Sequence, residues 1–301
     1  ASLGVLASIP LVARVLFPRW TAQLTQTANS FVAPPAVTRL RLERQTEQPG
    51  MEDEAIGFSL TEMANMGEKM LRDIGLTTNL ARLVIFLGHG SFCLNNPHKA
   101  AYDCGACSGS PGGANARALA TFLNDPRVRE IIASRGLQIP KETWFLGGLH
   151  NTALDTVSFS NLDLLPASHR RDFESLQDTL AEACQRNAHE RCRRFYSAPL
   201  DITPEAACEH VEARSEDLAQ TRPEFGNASN ALCYVGRRSR VRNLYMDRRC
   251  FMHSYDINSD DENSTILGRI LAPVVPVCQG INLMYYFSAV DPVGWGCGTK
   301  L

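Results

Sequence analysis

Two short apolar runs constrain this chain more than any other feature. "RLVIFLG", residues 82–88, is rich in β-branched and aromatic residues and is bounded by glycine; "TWFLGGLHN", residues 143–151, repeats the pattern. Runs that are apolar on both faces read as buried strands. Between them "NARALATFLNDPRVREIIASRG", residues 115–136, has helical spacing with an interruption near Pro126. Strand, helix and strand in that order form a βαβ unit, whose crossover makes the strands parallel. Upstream, residues 59–76 place Met63, Met66, Met70, Leu71 and Ile74 at helical spacing, with Ser59 and Thr61 as caps and Gly75 as the stop. Downstream, residues 168–195 predict a long charged helix, followed by mixed helices and turns that carry the basic clusters "GRRSRVR" and "MDRR".

The expected class is α/β, with a mostly parallel sheet and flanking helices. No repeat or linker divides the chain, so the expected organisation follows composition: an N-terminal segment over residues 1–60, an α/β core over 61–165, and a helical and mixed region over 166–301. In parallel sheets functional groups gather at the carboxyl ends of the strands. His89 follows the first run directly and His150 closes the second.

Thirty basic and 32 acidic residues leave a net charge of −2, which argues against a nucleic-acid stripe and against general attraction to anionic lipid. The ten cysteines are scattered, as in a reducing cytosolic protein, and not packed into a small disulfide framework. Asn227-Ala-Ser and Asn263-Ser-Thr match the glycosylation pattern by chance composition. The apolar stretches 1–20 and 266–287 are broken by Arg14, Arg269, Pro273, Pro276 and Gln279, short of the ~18 to 20 apolar residues of a membrane span. Opening without methionine and closing on "GWGCGTKL", the chain reads as an excerpt.

The chemistry concentrates in residues 88–113, "GHGSFCLNNPHKAAYDCGACSGSPGG", which hold two histidines, three cysteines and six glycines. Zinc accepts thiolate and imidazole at about 2.3 and 2.0 Å. His89 and Cys104 supply one of each across a loop that folds back over the strand end, and Cys107 or His98 adds a third. A redox reading uses Cys104-Gly-Ala-Cys107, but the pair does not open a helix. A phosphate loop lacks the Gly-Lys-Ser/Thr ending. Glycines at tight turns suit any of these. His150 either assists or is a satisfied structural residue. Cys184, Cys192, Cys208, Cys233, Cys250, Cys278 and Cys297 read as packing residues.

"LGHGSFCLNNPHKAAYDCGAC", "NARALATFLNDPRVRE", "RNAHERCRRF", "SYDINSDDE" and "INLMYYFSAVDPVGWGCGTKL", in this order, resemble the DabA family of zinc-binding subunits of inorganic-carbon accumulation complexes. The resemblance implies a core like that of β-carbonic anhydrases and a Zn2+ ion held by two cysteines, an aspartate and a histidine. His89 and Cys104 match two of these ligands. The other two belong to a Cys-x-Asp-x-Arg segment absent from this chain, where no cysteine precedes an aspartate by two positions. No catalytic residue beyond these ligands is assigned here. Cys93 and Ser108 depart from the family pattern; Cys93 adds a competing thiol. The implied activity is hydration of CO2 to bicarbonate, driven by cation flow through an antiporter-like membrane subunit of the DabB type, at the cytoplasmic face of the membrane. A noncatalytic zinc-stabilised protein that gates a membrane transporter is the alternative.

Overall fold

The computed structural model describes residues 2–17, 20–21, 24, 40–95, 103, 110–220, 232–275, 283, 286–287, 290–291 and 293–295. Helix α1 (Ser2–Leu16) exposes Ile9, Leu11, Val12, Val15 and Leu16. Among the described residues no helix is long and apolar enough to cross a membrane.

Helix α2 (Leu60–Asp73) begins at a capping box. The Ser59 hydroxyl accepts the Glu62 amide while the Glu62 carboxylate accepts the Ser59 amide. It ends where Gly75, at φ 73°, turns the chain: the Leu76 amide reaches the Leu71 carbonyl at 2.8 Å and the Gly75 amide that of Arg72 at 3.1 Å. Both ends lie where the sequence places them. Its buried face is Met63, Ala64, Gly67 and Leu71, whereas Met66 and Met70, expected on the apolar face, stand 37% and 41% exposed beside a cleft.

Strand β1 (Leu83–Gly90) runs parallel to β2 (Trp144–Asn151), with helices α3 (Gly113–Asn124) and α4 (Pro126–Ser134) in the crossover. Asp125 caps α4 and Pro126 occupies its first turn, where the missing amide is harmless, so the proline ends one helix and starts the next. A third strand, β3 (Thr156–Phe159), pairs antiparallel to β2. The three-stranded sheet in order β1-β2-β3 is therefore mixed: its longer β1–β2 ladder is parallel, as expected, and the short β2–β3 ladder is antiparallel. The turn at Asp155, in the left-handed region at φ 55°, sends β3 straight back along β2.

The core joins α2, α3 and α4 to one face of the sheet through Leu71, Val84, Leu123, Val128, Ile132 and Phe145. Full burial of such side chains contributes roughly 1.5–3 kcal/mol each. Helix α3 sits against glycine. A Cβ on Gly147 would lie 2.6 Å from the Ala116 carbonyl oxygen, and one on Gly88 2.1 Å from the carbonyl carbon of Gly112, so no side chain fits at either position.

Helix α5 (Arg170–Cys192) packs on α6 (Pro204–Glu216) through Ala188, Cys192, Ala207 and Val211, with Phe195 closing the cluster. Beyond it, where the sequence suggests only helices and turns, β4 (Leu232–Gly236) and β5 (Cys250–Ser254) form a parallel pair. Five residues each, flanked by arginines, they carry too little pattern to be read as strands from sequence. Helix α7 (Thr265–Val274) follows. Its start is held by Asp260, whose carboxylate accepts the Ile266 and Leu267 amides and the Tyr255 hydroxyl. Partial burial of that carboxyl raises its pKa, but these hydrogen bonds outweigh it and hold the value at about 2.

Candidate metal centre at the strand ends

Strand β1 continues past Gly88 to Gly90, so His89 lies within the ladder, in register with His150. In parallel strands register partners project to the same face. Both imidazoles therefore belong to the carboxyl end of the sheet, on the face away from Val84 and Phe145.

Their surroundings differ. His89 is exposed, and among the described residues its ring has no hydrogen-bond partner. Its backbone carbonyl accepts the Gly112 amide at 2.8 Å, which pins the start of α3 beside it. His150 instead places Nε2 3.3 Å from Asp155 Oδ1. Asp155 is buried and also accepts from Asn187 Nδ2 at 2.6 Å. Its Oδ2 faces the Arg191 guanidinium at 2.7 Å, an ionic contact between side chains 2% and 3% exposed. Arg191 donates onward to the Thr152 and Ala153 carbonyls, each at 3.0 Å. This network ties α5 to the turn after β2 and satisfies His150.

The loop leaving His89 is fastened in three places. Asn151, the last residue of β2, accepts the Phe92 amide at 2.9 Å and donates to the Phe92 carbonyl at 3.1 Å. The Leu94 amide donates to Ser215, near the end of α6, at 2.9 Å, and Asn95 Nδ2 donates to the Arg214 carbonyl at 2.7 Å. Asp103 returns to the strand end, its Oδ1 accepting the Ser91 amide at 2.9 Å. Asp103 is 6% exposed, and its Oδ2 has no hydrogen-bond partner among the described residues.

Cys104, together with His98 and Cys107, lies outside the described residues. Its chain neighbour Asp103 is bonded to Ser91, two positions from His89. The buried Asp103 Oδ2, unpartnered among the described residues, is polar space that suits a cation. Among the described residues no three His, Cys, Asp or Glu side chains converge on a metal position, so His89 is at most part of a ligand set. Cys93 is half-buried and outside any disulfide. Burial pushes the Cys184, Cys192 and Cys208 thiols up, which suits packing and not reactivity. Cys233 and Cys250 are half-buried in the β4–β5 pair; Cys278 and Cys297 lie outside the described residues.

Sequence reasoning singled out His89 and its sheet edge but missed Asp103, Asn151, Asp155 and Arg191. Asp103 stands beside Cys104, which is a usable signal; Asp155 and Arg191, far apart in sequence, carry none.

A βαβ unit with an exposed histidine at the carboxyl end of its first strand defines an α/β domain with a candidate site at its strand ends. The particular family follows from comparison: the model described as "Probable inorganic carbon transporter subunit DabA" matches residues 1–301, and the chain belongs to the DabA family. A subunit of that name from Rhodopirellula baltica is 52% identical over 298 residues, covering 99% of this chain and 28% of the relative. One from Sorangium cellulosum is 47% identical over 300 residues, covering 100% and 29%, and one from Methylococcus capsulatus 44% over 296, covering 98% and 28%. The chain thus spans less than a third of these relatives' length. No solved structure matches it.

Proposed function

We propose that this chain is part of a zinc-dependent CO2-hydrating subunit in an inorganic-carbon uptake complex. The relatives' names support the carbon-transport role. The observation behind the chemistry is the tether between Ser91 and Asp103, which returns the chain neighbour of Cys104 to the end of β1, the strand that carries the exposed His89.

His89 and Cys104 would hold the ion through ring nitrogen and thiolate, with two further ligands from the part of the protein outside this chain. Zinc, when bound, supplies the Lewis acidity that brings the pKa of a coordinated water towards neutrality. Asp103 fixes the approach of the loop, and Asn151 holds Phe92 against β2 so that His89 keeps its orientation. The core of the whole protein would resemble β-carbonic anhydrases. The partner is an antiporter-like membrane subunit of the DabB type whose cation flow drives hydration in one direction, and this subunit sits peripherally on the cytoplasmic face.

The test is His89→Ala and Cys104→Ala in the full-length protein, with zinc content and oxygen-isotope exchange between CO2 and water measured with and without the membrane partner. Loss of zinc and exchange together supports the proposal. Wild-type zinc in either variant removes that residue from the ligand set. Zinc loss from a protein that never exchanges isotope favours the noncatalytic gating role.

A further inference from the structure

Residues 237–249, which join β4 to β5, hold six arginines and one acidic residue, Asp247, a charge of +5 in a chain whose total is −2. The near-neutral total conceals this patch. Its backbone is firmly held. The Tyr234 hydroxyl donates to the Arg237 carbonyl at 3.0 Å, Arg238 Nη1 donates to the Met252 carbonyl at 3.0 Å, and Val241, which ends a 3-10 turn over Arg238–Val241, is buried. Farther along, Asp247 meets Arg194 at 2.7 Å and Arg248 donates to Asn187 Oδ1, which ties the segment to α5 and the residues after it.

These contacts leave part of the segment unused. Arg237 pairs with Asp256 at 2.8 Å, but Arg240 and Arg242, both exposed, have no hydrogen-bond or ionic partner among the described residues. Leu244 and Tyr245 follow at once, 61% and 69% exposed. The Tyr245 hydroxyl donates to Asp247 Oδ1 at 3.2 Å, which fixes the ring without covering it. Unpaired arginines next to an exposed leucine and tyrosine suit a surface that is charged at its face and apolar just beneath, as lipid headgroups over acyl chains are. A nucleic acid would use the arginines and leave the leucine idle. The cytoplasmic loops of a membrane subunit are themselves rich in Lys and Arg, so they would repel the patch.

We infer that the segment between β4 and β5 binds the surface of an anionic bilayer directly, Arg240 and Arg242 holding lipid phosphates while Leu244 and Tyr245 sit at the headgroup boundary. The inference rests on the peripheral location proposed above and adds to it the surface that meets the lipid. Guanidinium suits phosphate because its planar fork donates two parallel hydrogen bonds. The contact is largely electrostatic and weakens as salt shortens the reach of the charges. It does not depend on zinc.

Co-sedimentation of the full-length protein, purified without its membrane partner, tests it with vesicles of phosphatidylcholine alone and of phosphatidylcholine mixed with phosphatidylglycerol, at low and high salt. Binding should require phosphatidylglycerol and decline with salt. Arg240→Gln with Arg242→Gln should weaken it roughly 30-fold, from about 1 kcal/mol for each basic side chain at the surface. Arg240→Lys with Arg242→Lys, which keeps the charge, should restore most of the binding. Leu244→Ser should weaken it by about fivefold, a loss that a purely ionic contact would not show. Binding to both vesicle types alike, or to neither, overturns the inference. So does wild-type binding by the double glutamine variant, whether or not that variant loses the membrane subunit. Its thermal midpoint should match wild type, because both side chains are exposed and unpartnered. A protein that lacks zinc yet binds the anionic vesicles in this pattern sinks the zinc chemistry and leaves the lipid contact standing.

Discussion

The ends of β1 and β2 present the same residue in the same register and treat it in opposite ways. His150 is captured by a buried carboxylate that is itself held by Arg191 and Asn187. His89, its neighbour across the ladder, is exposed, and among the described residues only its backbone is fastened. The difference separates a histidine that joins two parts of the fold from one available to a ligand. Position at a strand end suggests a site for both; only the satisfied or unsatisfied state of the ring tells them apart.

The strongest way to break this contrast is Arg191→Met. Removing one partner of a buried ion pair leaves an uncompensated charge and typically costs about 3–5 kcal/mol. The denaturant midpoint of the full-length protein should fall accordingly, and an unchanged midpoint would mean that the network does not hold α5 to the sheet. Asn151→Ala leaves the Phe92 amide and carbonyl without their partner and should cost roughly 1–3 kcal/mol by the same measurement. Its zinc affinity should fall as well, because the loop that orients His89 loosens. His89→Ala reverses the pattern: stability within about 0.5 kcal/mol of wild type, as for an exposed side chain, but zinc lost by metal analysis. A destabilisation as large as that of Arg191→Met would place His89 among the structural histidines.

The smallest effect concerns pH. His210 on α6 stacks on Phe195 with ring centroids 6.0 Å apart, and burial, then the Arg214 charge, lowers its pKa below 6.5. Glu212 shares the same helix, and Cys192 lies in the cluster packed against it. Below pH 6.5 the unfolded chain takes up a proton that the folded chain resists, so stability declines as pH falls from above 6.5 towards the lowered value. His210→Gln should flatten that part of the unfolding midpoint plotted against pH. An identical slope in the variant would assign the acid sensitivity to other groups.

What the sequence determined alone is the local architecture of the α/β core. The Ser59 capping box, the left-handed Gly75, and Pro126 dividing α3 from α4 act within a few residues of themselves, so spacing suffices to read them. The two apolar runs, with helices between them, had to lie parallel; β2 is largely buried, as expected, whereas in β1 only Val84 and Gly90 are. His89 was legible for the same reason, as the polar residue where an apolar run stops. Tertiary structure decided the rest. The reversal into β3, the β4–β5 pair, the return of Asp103 to Ser91 and the Asp155–Arg191 contact join residues whose separation in the chain carries no periodic signal. Polar pairs of this kind form only after packing has excluded water around them, because solvent screens the same charges in the open chain to little net attraction. That is why one strand-end histidine became a strut while its neighbour, among the described residues, kept an unpartnered ring.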